Sequence, residues 1–450
     1  MRRHALTPPQ WLAASAIYQI MPRTFNEEGT IRSVIKQLPF LADLEFGVIY
    51  LCPIFEEDDS MDPAYWSSRQ IASGTGNPKN PYRMNDYFKI DPEYGTMEDL
   101  EDFVKEAHRL GLKVILDLVY LHIGPNASIL KTHPEFAKQD ADGNTICTIW
   151  NFPYLDFKCP GLREYLWCNM TYYIGVLDVD GFRCDVGADV PLDFWAEGRR
   201  RIRAIKPDAV LINEGSNWEY LEGAFDASYC FDWHEDLYGV FAGKLTVKYL
   251  KERYEARTKE IPAGGLLLRD IDNHDTATDW PVRTEILAGH DGMELIEVVN
   301  YCMDGIPMVY CGNELGDSAG INFFGNRFYR GGYEVTDRSI ASADYSLRRQ
   351  EILKKLNRLK KEKEVLRTGK TLWLENDQED TVIAFQRFTD NEQIIVIANT
   401  ADYACSVCLK GLAGQADKGD ILLSHRAERS QPGRFELGAR GYLVMEEMRS

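Results

Sequence analysis

Residues 181–186 read Gly-Phe-Arg-Cys-Asp-Val, a mostly apolar stretch that carries two opposite charges. Its composition is typical of a buried strand, on which side chains at positions i and i+2 point to the same face. Arg183 and Asp185 would therefore face the same place. They could form a structural ion pair, or a catalytic carboxylate held by a guanidinium. For an isolated Arg and Asp at this spacing, a structural ion pair is the better interpretation. Residues elsewhere in the chain are needed to favour the catalytic one.

Further polar residues fall at the ends of other strand-like segments. Together with the first pair they are Asp117, His122, Arg183, Asp185, Glu214, His274 and Asp275. In a closed barrel of parallel strands, all of these ends open onto one face, where the active sites of such barrels are built. Structural ion pairs would not be expected to line up in this way. The alignment therefore favours a catalytic site over a set of unrelated ion pairs.

Three carboxylates in one cleft suggest that each has a different role in catalysis. Glycoside hydrolysis needs one ionised carboxylate and one carboxylic acid, whose pKa values are separated by their environments. Arg183 beside Asp185 predicts an ionised nucleophile. Glu214 follows the apolar run Ala-Val-Leu-Ile-Asn, which predicts a raised pKa and a general acid/base role. Asp275 and the two histidines could hold sugar hydroxyls and stabilise a cationic transition state.

The elements that would position these residues alternate between short apolar runs and amphipathic helical patterns. Near-continuous apolar strands, most of them followed by a helix, predict a parallel sheet that is covered on both faces. Eight such units fit a closed (β/α)₈ barrel. The strand candidates are residues 17–25, 47–55, 113–122, 181–186, 209–215, 224–232, 266–275 and 307–314. Helices are predicted at 96–111 and 160–175, the first ending on a glycine.

Two departures from the alternation predict further domains. The link after the third strand is long and rich in Asn, Asp, Pro and Lys, which indicates a small inserted domain. After a charged helix that starts near residue 346, strand patterns follow one another without helices, which predicts an antiparallel β-sandwich. The predicted domains are the barrel (1–121 and 161–370, the second part carrying the catalytic residues), the insertion (122–160) and the C-terminal β domain (371–450).

Composition and charge exclude several other function classes. The formal net charge of −19 over 450 residues argues against nucleic acid or an anionic membrane as a partner. The sequence shows no apolar run of membrane-spanning length and no secretory signal pattern, so a cytoplasmic location is expected. The ten cysteines are scattered, and Cys405 and Cys408 stand in a strand-like stretch without a second pair. We expect no disulfide framework, no metal and no cofactor.

Four of these segments together resemble the α-amylase superfamily, glycoside hydrolase family 13. Asp-Leu-Val-Tyr-Leu-His (117–122), the 181–186 stretch, Ile-Asn-Glu-Gly (212–215) and Asp-Ile-Asp-Asn-His-Asp (270–275) are similar to its four motifs, in the family's order. Residues 18–25 and 81–96 resemble its first barrel strand and the segment before its third strand. The resemblance covers roughly residues 14–370, the tail fits the family's C-terminal β domain, and the insertion matches a short form of its domain B.

The resemblance implies a retaining double displacement on an α-glucosidic bond of malto-oligosaccharides or small α-glucosides. Carried over by position, Asp185 is the nucleophile, Glu214 the acid/base and Asp275 the transition-state stabiliser. The residues implied to bind the substrate are Tyr82, as a stacking platform, Arg183, as the holder of the nucleophile, and His122 and His274, as sugar contacts.

Three positions differ from the family pattern. Leu121 stands where the family usually has an Asn that commonly ligates a structural calcium, so no such site is expected. Asp189 replaces the Lys or His often found near the +1 and +2 subsites. Arg83 stands where many exo-acting α-glucosidases have an Asp that grips the non-reducing end. These positions concern specificity, and the catalytic set is intact.

The remaining alternatives are a transglycosylase or glycoside phosphorylase of the same fold, and a non-catalytic carbohydrate-binding relative. The first would pass the same covalent intermediate to a sugar or to phosphate. The second is disfavoured because the three carboxylates and Arg183 are all present. A metal-dependent hydrolase is not supported by the spacing of the histidines. Linkage preference, exo or endo action and oligomeric state are not predicted.

Overall fold

A computed structural model describes residues 3–328, 334–410 and 419–448. The strands, in chain order, are β1 (Ile17–Ile20), β2 (Val48–Leu51), β3 (Phe55–Glu57), β4 (Met84–Ile90), β5 (Lys113–Leu118), β6 (Gly181–Cys184), β7 (Val210–Asn213), β8 (Ala227–Ser228), β9 (Leu268–Arg269), β10 (Ile306–Tyr310), β11 (Lys370–Trp373), β12 (Val382–Phe388), β13 (Glu392–Asn399), β14 (Cys405–Cys408), β15 (Asp420–Gln431) and β16 (Arg434–Met448).

The helices are α1 (Gln10–Ala13), α2 (Pro22–Phe25), α3 (Ile31–Ile35), α4 (Leu38–Asp43), α5 (Ser68–Ala72), α6 (Met97–Arg109), α7 (Ser128–Thr132), α8 (Pro160–Gly175), α9 (Leu192–Ile205), α10 (Tyr220–Gly223), α11 (Phe231–Phe241), α12 (Val247–Thr258), α13 (His274–Asp279), α14 (Thr284–Cys302, kinked at Gly289), α15 (Asp344–Glu362) and α16 (Glu364–Thr368). No helix within the described residues is long and apolar enough to cross a membrane.

Eight strands form a parallel sheet that closes into a barrel. Their order is β8-β7-β6-β5-β2-β1-β10-β9, and every pairing between neighbours is parallel. The two edges meet where Ser228 bridges Leu267 and its N–H donates to the carbonyl of Leu266 at 3.0 Å. The predicted (β/α)₈ barrel is thus confirmed, with one strand at each of the eight candidate positions.

Helix α6 shows how local sequence sets the bounds of these elements. Thr96 and Asp99 cap its start reciprocally, because each side chain accepts the other's backbone N–H, at 3.2 and 2.8 Å. Its buried residues recur at helical spacing and pack on the barrel: Leu100, Phe103, Val104 and Ala107. The chain then turns at Gly111, whose φ of 80° is in the left-handed region that glycine adopts without strain.

The insertion after β5 is small and folds over the carboxyl edge of the barrel. It contains α7, a single 3₁₀ turn (Pro134–Phe136) and isolated bridges rather than a sheet of its own. One bridge joins His122 to Tyr154, which ties the far arm of the insertion to the end of the third barrel strand. This arrangement places the loop around Trp150 and Phe152 beside the barrel mouth.

The C-terminal strands form an antiparallel sheet in the order β11-β12-β13-β16-β14, with β15 along β16. One face of this sheet contributes Phe385, Val396 and Val444 to the main core of the barrel. The other face encloses a separate core, which joins the outer strand β14 and the first half of β16 to the central strands: Val382, Ile395, Val407, Phe435 and Leu443. A C-terminal antiparallel β domain is confirmed, and its first strand begins at Lys370.

All ten cysteines are free. Cys405 and Cys408 lie on β14, and within the described residues no group of three His, Cys, Asp or Glu side chains is placed to hold a metal ion.

Candidate active site

The carboxyl ends of the barrel strands bring the predicted site residues together. The register pairs Asp117 on β5 with Arg183 on β6. Asp185 and Glu214 follow directly on β6 and β7, and Asp275 lies in the first turn of α13, after β9. The strands are short and buried, so the first residues beyond them sit at the rim of the barrel.

Arg183 is the electrostatic centre of this rim. It is 1% exposed, and its Nη1 donates to Asp117 at 2.8 Å and to Asp185 Oδ1 at 2.9 Å. Its Nη2 lies 2.6 Å from Glu214 Oε1. Arg183 and Asp185 therefore share a face, as the alternation of a strand predicts, and one guanidinium holds both proposed catalytic carboxylates. The structural ion pair and the catalytic arrangement involve the same atoms.

Burial modifies the predicted charge state of the two carboxyl groups. It raises the pKa of Asp185 well above its ordinary value, and the neighbouring Glu214 and Asp117 raise it further, whereas Arg183 lowers it. Burial likewise raises the pKa of Glu214, against the opposing effect of Arg183. The sequence predicts that Arg183 keeps Asp185 ionised, and burial opposes this effect of Arg183. Because one guanidinium faces three carboxylates, the protonation of Asp185 and that of Glu214 depend on each other.

The backbone after β6 fixes the position of Glu214. The N–H of Val186 donates to Glu214 Oε2 at 2.7 Å. Val186 has a φ of 42°, a left-handed conformation that is costly for a β-branched residue. The surrounding structure must therefore hold this turn in place, and strain of this kind is common at active sites.

Asp275 is positioned by the start of helix α13. Asn273 caps the helix, because its side-chain oxygen accepts the N–H groups of Asp275 and Thr276 at 2.9 and 3.0 Å. Arg69 Nη2 donates to Asp275 Oδ1 at 2.8 Å, and His274 Nε2 lies 3.5 Å from Oδ2. Burial raises the pKa of Asp275, but the neighbouring His274 and the positive charge of Arg69 outweigh it and bring the pKa down to about 2. Asp275 is thus ionised at neutral pH.

His274 belongs to a hydrogen-bond chain that fixes its tautomer. The amide of Gln19 lies 3.0 Å from Nδ1, and the hydroxyl of Tyr82 lies 2.6 Å from Nε2. Gln19 Oε1 accepts the backbone N–H of His274, so the amide nitrogen of Gln19 donates to Nδ1. Nε2 then carries the proton and donates to Tyr82, whose hydroxyl donates to Asp117 at 3.2 Å. Burial lowers the pKa of His274, in keeping with a neutral ring.

His122 and Tyr82 are joined through the backbone. His122 Nε2 donates to the carbonyl of Tyr82 at 2.8 Å, and burial lowers the pKa of His122 to about 4. The buried Nδ1 of His122 has no partner among the described residues, so it remains an acceptor for a hydroxyl. The ring of Tyr82 stacks on His274, with centroids 5.4 Å apart and planes at 16°.

A pocket of about 90 Å³ opens between these residues. Of the predicted site residues, Asp185, Glu214, Asp275, Tyr82 and His122 line it. Arg183 and His274 do not line the pocket, but they bind residues that do. Arg183 binds Asp185 and Glu214, and His274 binds Tyr82. The other lining residues are Ser67, Arg69, Asn80, Trp150, Phe152, Val186, Phe323 and Phe324.

The sequence analysis did not identify Arg69, Trp150, Phe323 and Phe324 as pocket residues. They stand on links that return to the mouth from distant elements, and no spacing marks them. Asp275 offered the only signal for Arg69, because an ionised carboxylate at a pocket rim commonly has a cationic partner.

Arg83, one of the three departures from the family pattern, points away from the pocket. It is fully buried and donates to the carbonyls of Tyr65, Pro78 and Asp58 at 2.6, 2.6 and 3.0 Å. Its function is to hold the loop between β3 and β4. Asp189 is exposed on a 3₁₀ turn after β6.

The residues present do not fit the structural calcium of the resembled family. Leu121 is apolar and 4% exposed, so it offers no ligand oxygen at the position of the usual Asn. In the loop after α2, the side-chain oxygen of Asn26 already accepts from Gly29 and Ser33, both at 3.0 Å.

Comparison with known proteins shows which family the chain resembles. A family model described as the catalytic domain of α-amylase matches residues 19–142. A cyclomaltodextrinase of Thermoanaerobacter pseudethanolicus is 25% identical, over 94% of this chain and 76% of its own. An intracellular maltogenic amylase of Bacillus subtilis is 24% identical, over 95% of this chain and 76% of its own.

Solved structures of the same fold are similar over nearly the whole chain. A maltogenic α-amylase from Thermotoga neapolitana superposes with a TM-score of 0.81 at 23% identity, over 98% of this chain and 100% of its own. An α-amylase from Geobacillus thermoleovorans, solved with acarbose, gives 0.77 at 24% identity, over 98% and 99%. The barrel, the strand ends that carry the motifs and the curated relatives agree: this chain resembles the α-amylase family, and it is a glycosidase.

Proposed function

We propose that the protein is a retaining α-glucoside hydrolase that acts on malto-oligosaccharides or small α-glucosides. This proposal rests on one observation. The guanidinium of Arg183 binds both Asp185 and Glu214, and these two carboxyl groups line a pocket together with Asp275. Retaining glycosidases need a nucleophilic carboxylate and a proton-donating carboxyl group on either side of the anomeric carbon. Asp185, when ionised, and Glu214, when protonated, would supply that pair.

In the first step, an Asp185 oxygen attacks the anomeric carbon while Glu214 gives its proton to the leaving oxygen. The glycosidic bond breaks and a covalent glucosyl-aspartate forms. In the second step, Glu214, now ionised, takes a proton from water, whose oxygen attacks the same carbon and releases Asp185. Two inversions retain the α configuration.

The remaining pocket residues suit a neutral, hydroxyl-rich substrate. Asp275 is ionised and can accept from hydroxyls while its charge opposes the positive charge of the transition state. The free Nδ1 of His122 is an acceptor, and the ring of Tyr82 offers an apolar face to a sugar. We propose an oligosaccharide or small α-glucoside as the partner, and a cytoplasmic location is supported by the name of the intracellular maltogenic amylase.

Proton NMR of the first products tests this function. Wild-type protein with maltotriose, maltose and p-nitrophenyl α-glucoside should give an initially α-configured sugar, which the Asp185→Asn variant should not form. Longer sugars would instead identify transfer, and a phosphate-dependent product would identify a phosphorylase. Equal turnover by the two proteins would contradict the assignment of the nucleophile.

A further inference from the structure

One side of the pocket is built by Arg69, a residue that none of the family motifs contains. Arg69 lies on α5, in the link between β3 and β4, and reaches α13. There its Nη2 donates to Asp275 Oδ1 at 2.8 Å and its Nε to Asp279 Oδ1 at 3.1 Å. Its guanidinium also lies 5.2 Å from the ring centroid of Phe323 and 5.6 Å from that of Phe324. We call Arg69, Phe323 and Phe324 the wall.

The wall crosses the barrel mouth on the side away from Glu214. Arg69 comes from the link that follows β2, and its partner Asp275 follows β9. In the sheet order, β1 and β10 lie between β2 and β9, so the ion pair spans the ends of those two strands. Glu214 follows β7, which is four strands from β1 in a ring of eight. The wall and Glu214 therefore stand on opposite sides of the barrel mouth, and Asp185, after β6, is next to Glu214.

The wall is fixed in place from behind. The carbonyl of Phe323 accepts from Arg23 at 2.9 Å, and that of Phe324 accepts from Asn77 at 3.0 Å. Gln70, next to Arg69, donates to the carbonyl of Asn77 at 2.9 Å. These bonds tie the loop that carries both rings to the link that carries Arg69. The two parts of the wall would have to separate before a chain could pass between them.

The position of the wall determines which part of the substrate it faces. The acid Glu214 must lie beside the leaving oxygen, so the aglycone leaves on the Glu214 side and the glycone faces the wall. We propose that Arg69, with Phe323 and Phe324, closes the glycone side of the pocket, so that the enzyme removes terminal glucosyl units and does not cleave inside chains. This inference rests on the proposed hydrolase function.

An end-blocked substrate separates this inference from the function on which it rests. Wild-type protein is incubated with p-nitrophenyl maltoheptaoside, either free or blocked at its non-reducing end, and with p-nitrophenyl α-glucoside. We expect glucose as the first product of the free chain, turnover of the glucoside, and at least 100-fold slower cleavage of the blocked chain. Absence of turnover on every substrate would contradict the proposed function. Equal cleavage of the blocked and free chains would overturn only the inference.

Substitutions of Arg69 then test whether this residue closes the glycone side of the pocket. Arg69→Ala should raise the ratio of blocked to free chain cleavage at least tenfold, even where total activity falls because Asp275 has lost its partner. Arg69→Lys keeps the charge and should stay close to wild type in this ratio. Arg109→Ala, which removes an exposed arginine paired with Glu106 on α6, is the matched control and should leave the ratio unchanged. An unchanged ratio in folded Arg69→Ala would overturn the proposal.

Discussion

At the scale of single residues, the protonation of the pocket carboxyl groups depends on the few positive charges that face them. Arg183 is shared by Asp117, Asp185 and Glu214, whereas Asp275 has Arg69. Burial raises the pKa values of Asp185 and Glu214, whereas His274 and Arg69 bring that of Asp275 down to about 2. The environments of these carboxyl groups thus differ, which is the condition for one of them to give a proton while another stays ionised.

This charge distribution predicts a bell-shaped dependence of kcat/KM on pH. Activity should fall at alkaline pH as the raised pKa of Glu214 is passed and its proton is lost. It should fall at acid pH as the nucleophile gains a proton, whereas Asp275, with a pKa of about 2, should not shape the acid limb above pH 4. The check is a pH profile with an aryl α-glucoside, repeated on Glu214→Gln with α-glucosyl fluoride, which needs no acid. An alkaline limb that persists in the variant would argue against Glu214 as the acid.

At the scale of elements, the sequence predicted the barrel because each strand is a short apolar run that ends in polar residues. It overstated the lengths: the candidate 17–25 contains β1 and, after Met21, the helix α2. Apolar residues continue past the strand there because the rim is itself buried, and hydrophobicity alone cannot distinguish a rim from a strand. Helix α8, at 160–175, was predicted to the residue because proline marks its start.

Most of the candidate site was predictable because its residues lie on the barrel strands or within a few residues of their ends, and Tyr82 was predicted from the family resemblance. Asp185, Glu214 and Asp275 are close to a strand end, so the barrel topology determines their position. Arg69, Trp150 and Phe323 reach the pocket through long links, whose paths depend on tertiary contacts such as Arg23 to the Phe323 carbonyl. Local patterns carry no information about such paths.

The cap of α13 supports a prediction at this scale. Asn273→Ala removes the acceptor for two N–H groups at the start of the helix and a hydrogen bond to Asp270, and should cost about 1–2 kcal/mol of stability. Because the same turn aims Asp275, kcat should fall about tenfold or more. Urea denaturation and steady-state kinetics measure both effects. Loss of stability with unchanged kcat would show that the cap does not position Asp275.

At the scale of the whole molecule, the barrel and the C-terminal domain share one core. Phe385, Val396 and Val444 of the C-terminal sheet belong to the same buried cluster as the barrel strands. Tyr442 also donates to Glu294 on α14 at 2.5 Å. The second core, within the C-terminal sheet, is much smaller. The C-terminal domain therefore covers barrel surface that would otherwise be exposed and apolar.

This shared core predicts cooperative unfolding. Differential scanning calorimetry of the whole chain should show one transition, and a chain that ends at residue 369 should not fold to a soluble barrel. The physical reason is that removing the sheet would expose the apolar residues of α14 and α16 that it covers. Two separate transitions, or a soluble and active shortened chain, would show that the domains are independent.

The most direct test of the account is to trap the glucosyl-enzyme. The protein would be incubated with 5-fluoro-α-glucosyl fluoride, whose intermediate is hydrolysed slowly, and digested for mass spectrometry. The account predicts one added fluoroglucosyl group, on the peptide that contains Gly-Phe-Arg-Cys-Asp-Val, and fragmentation should place it on Asp185. Asp185→Asn should carry none. A label on another carboxylate, or inactivation by the reagent in Asp185→Asn at the wild-type rate, would contradict the central claim.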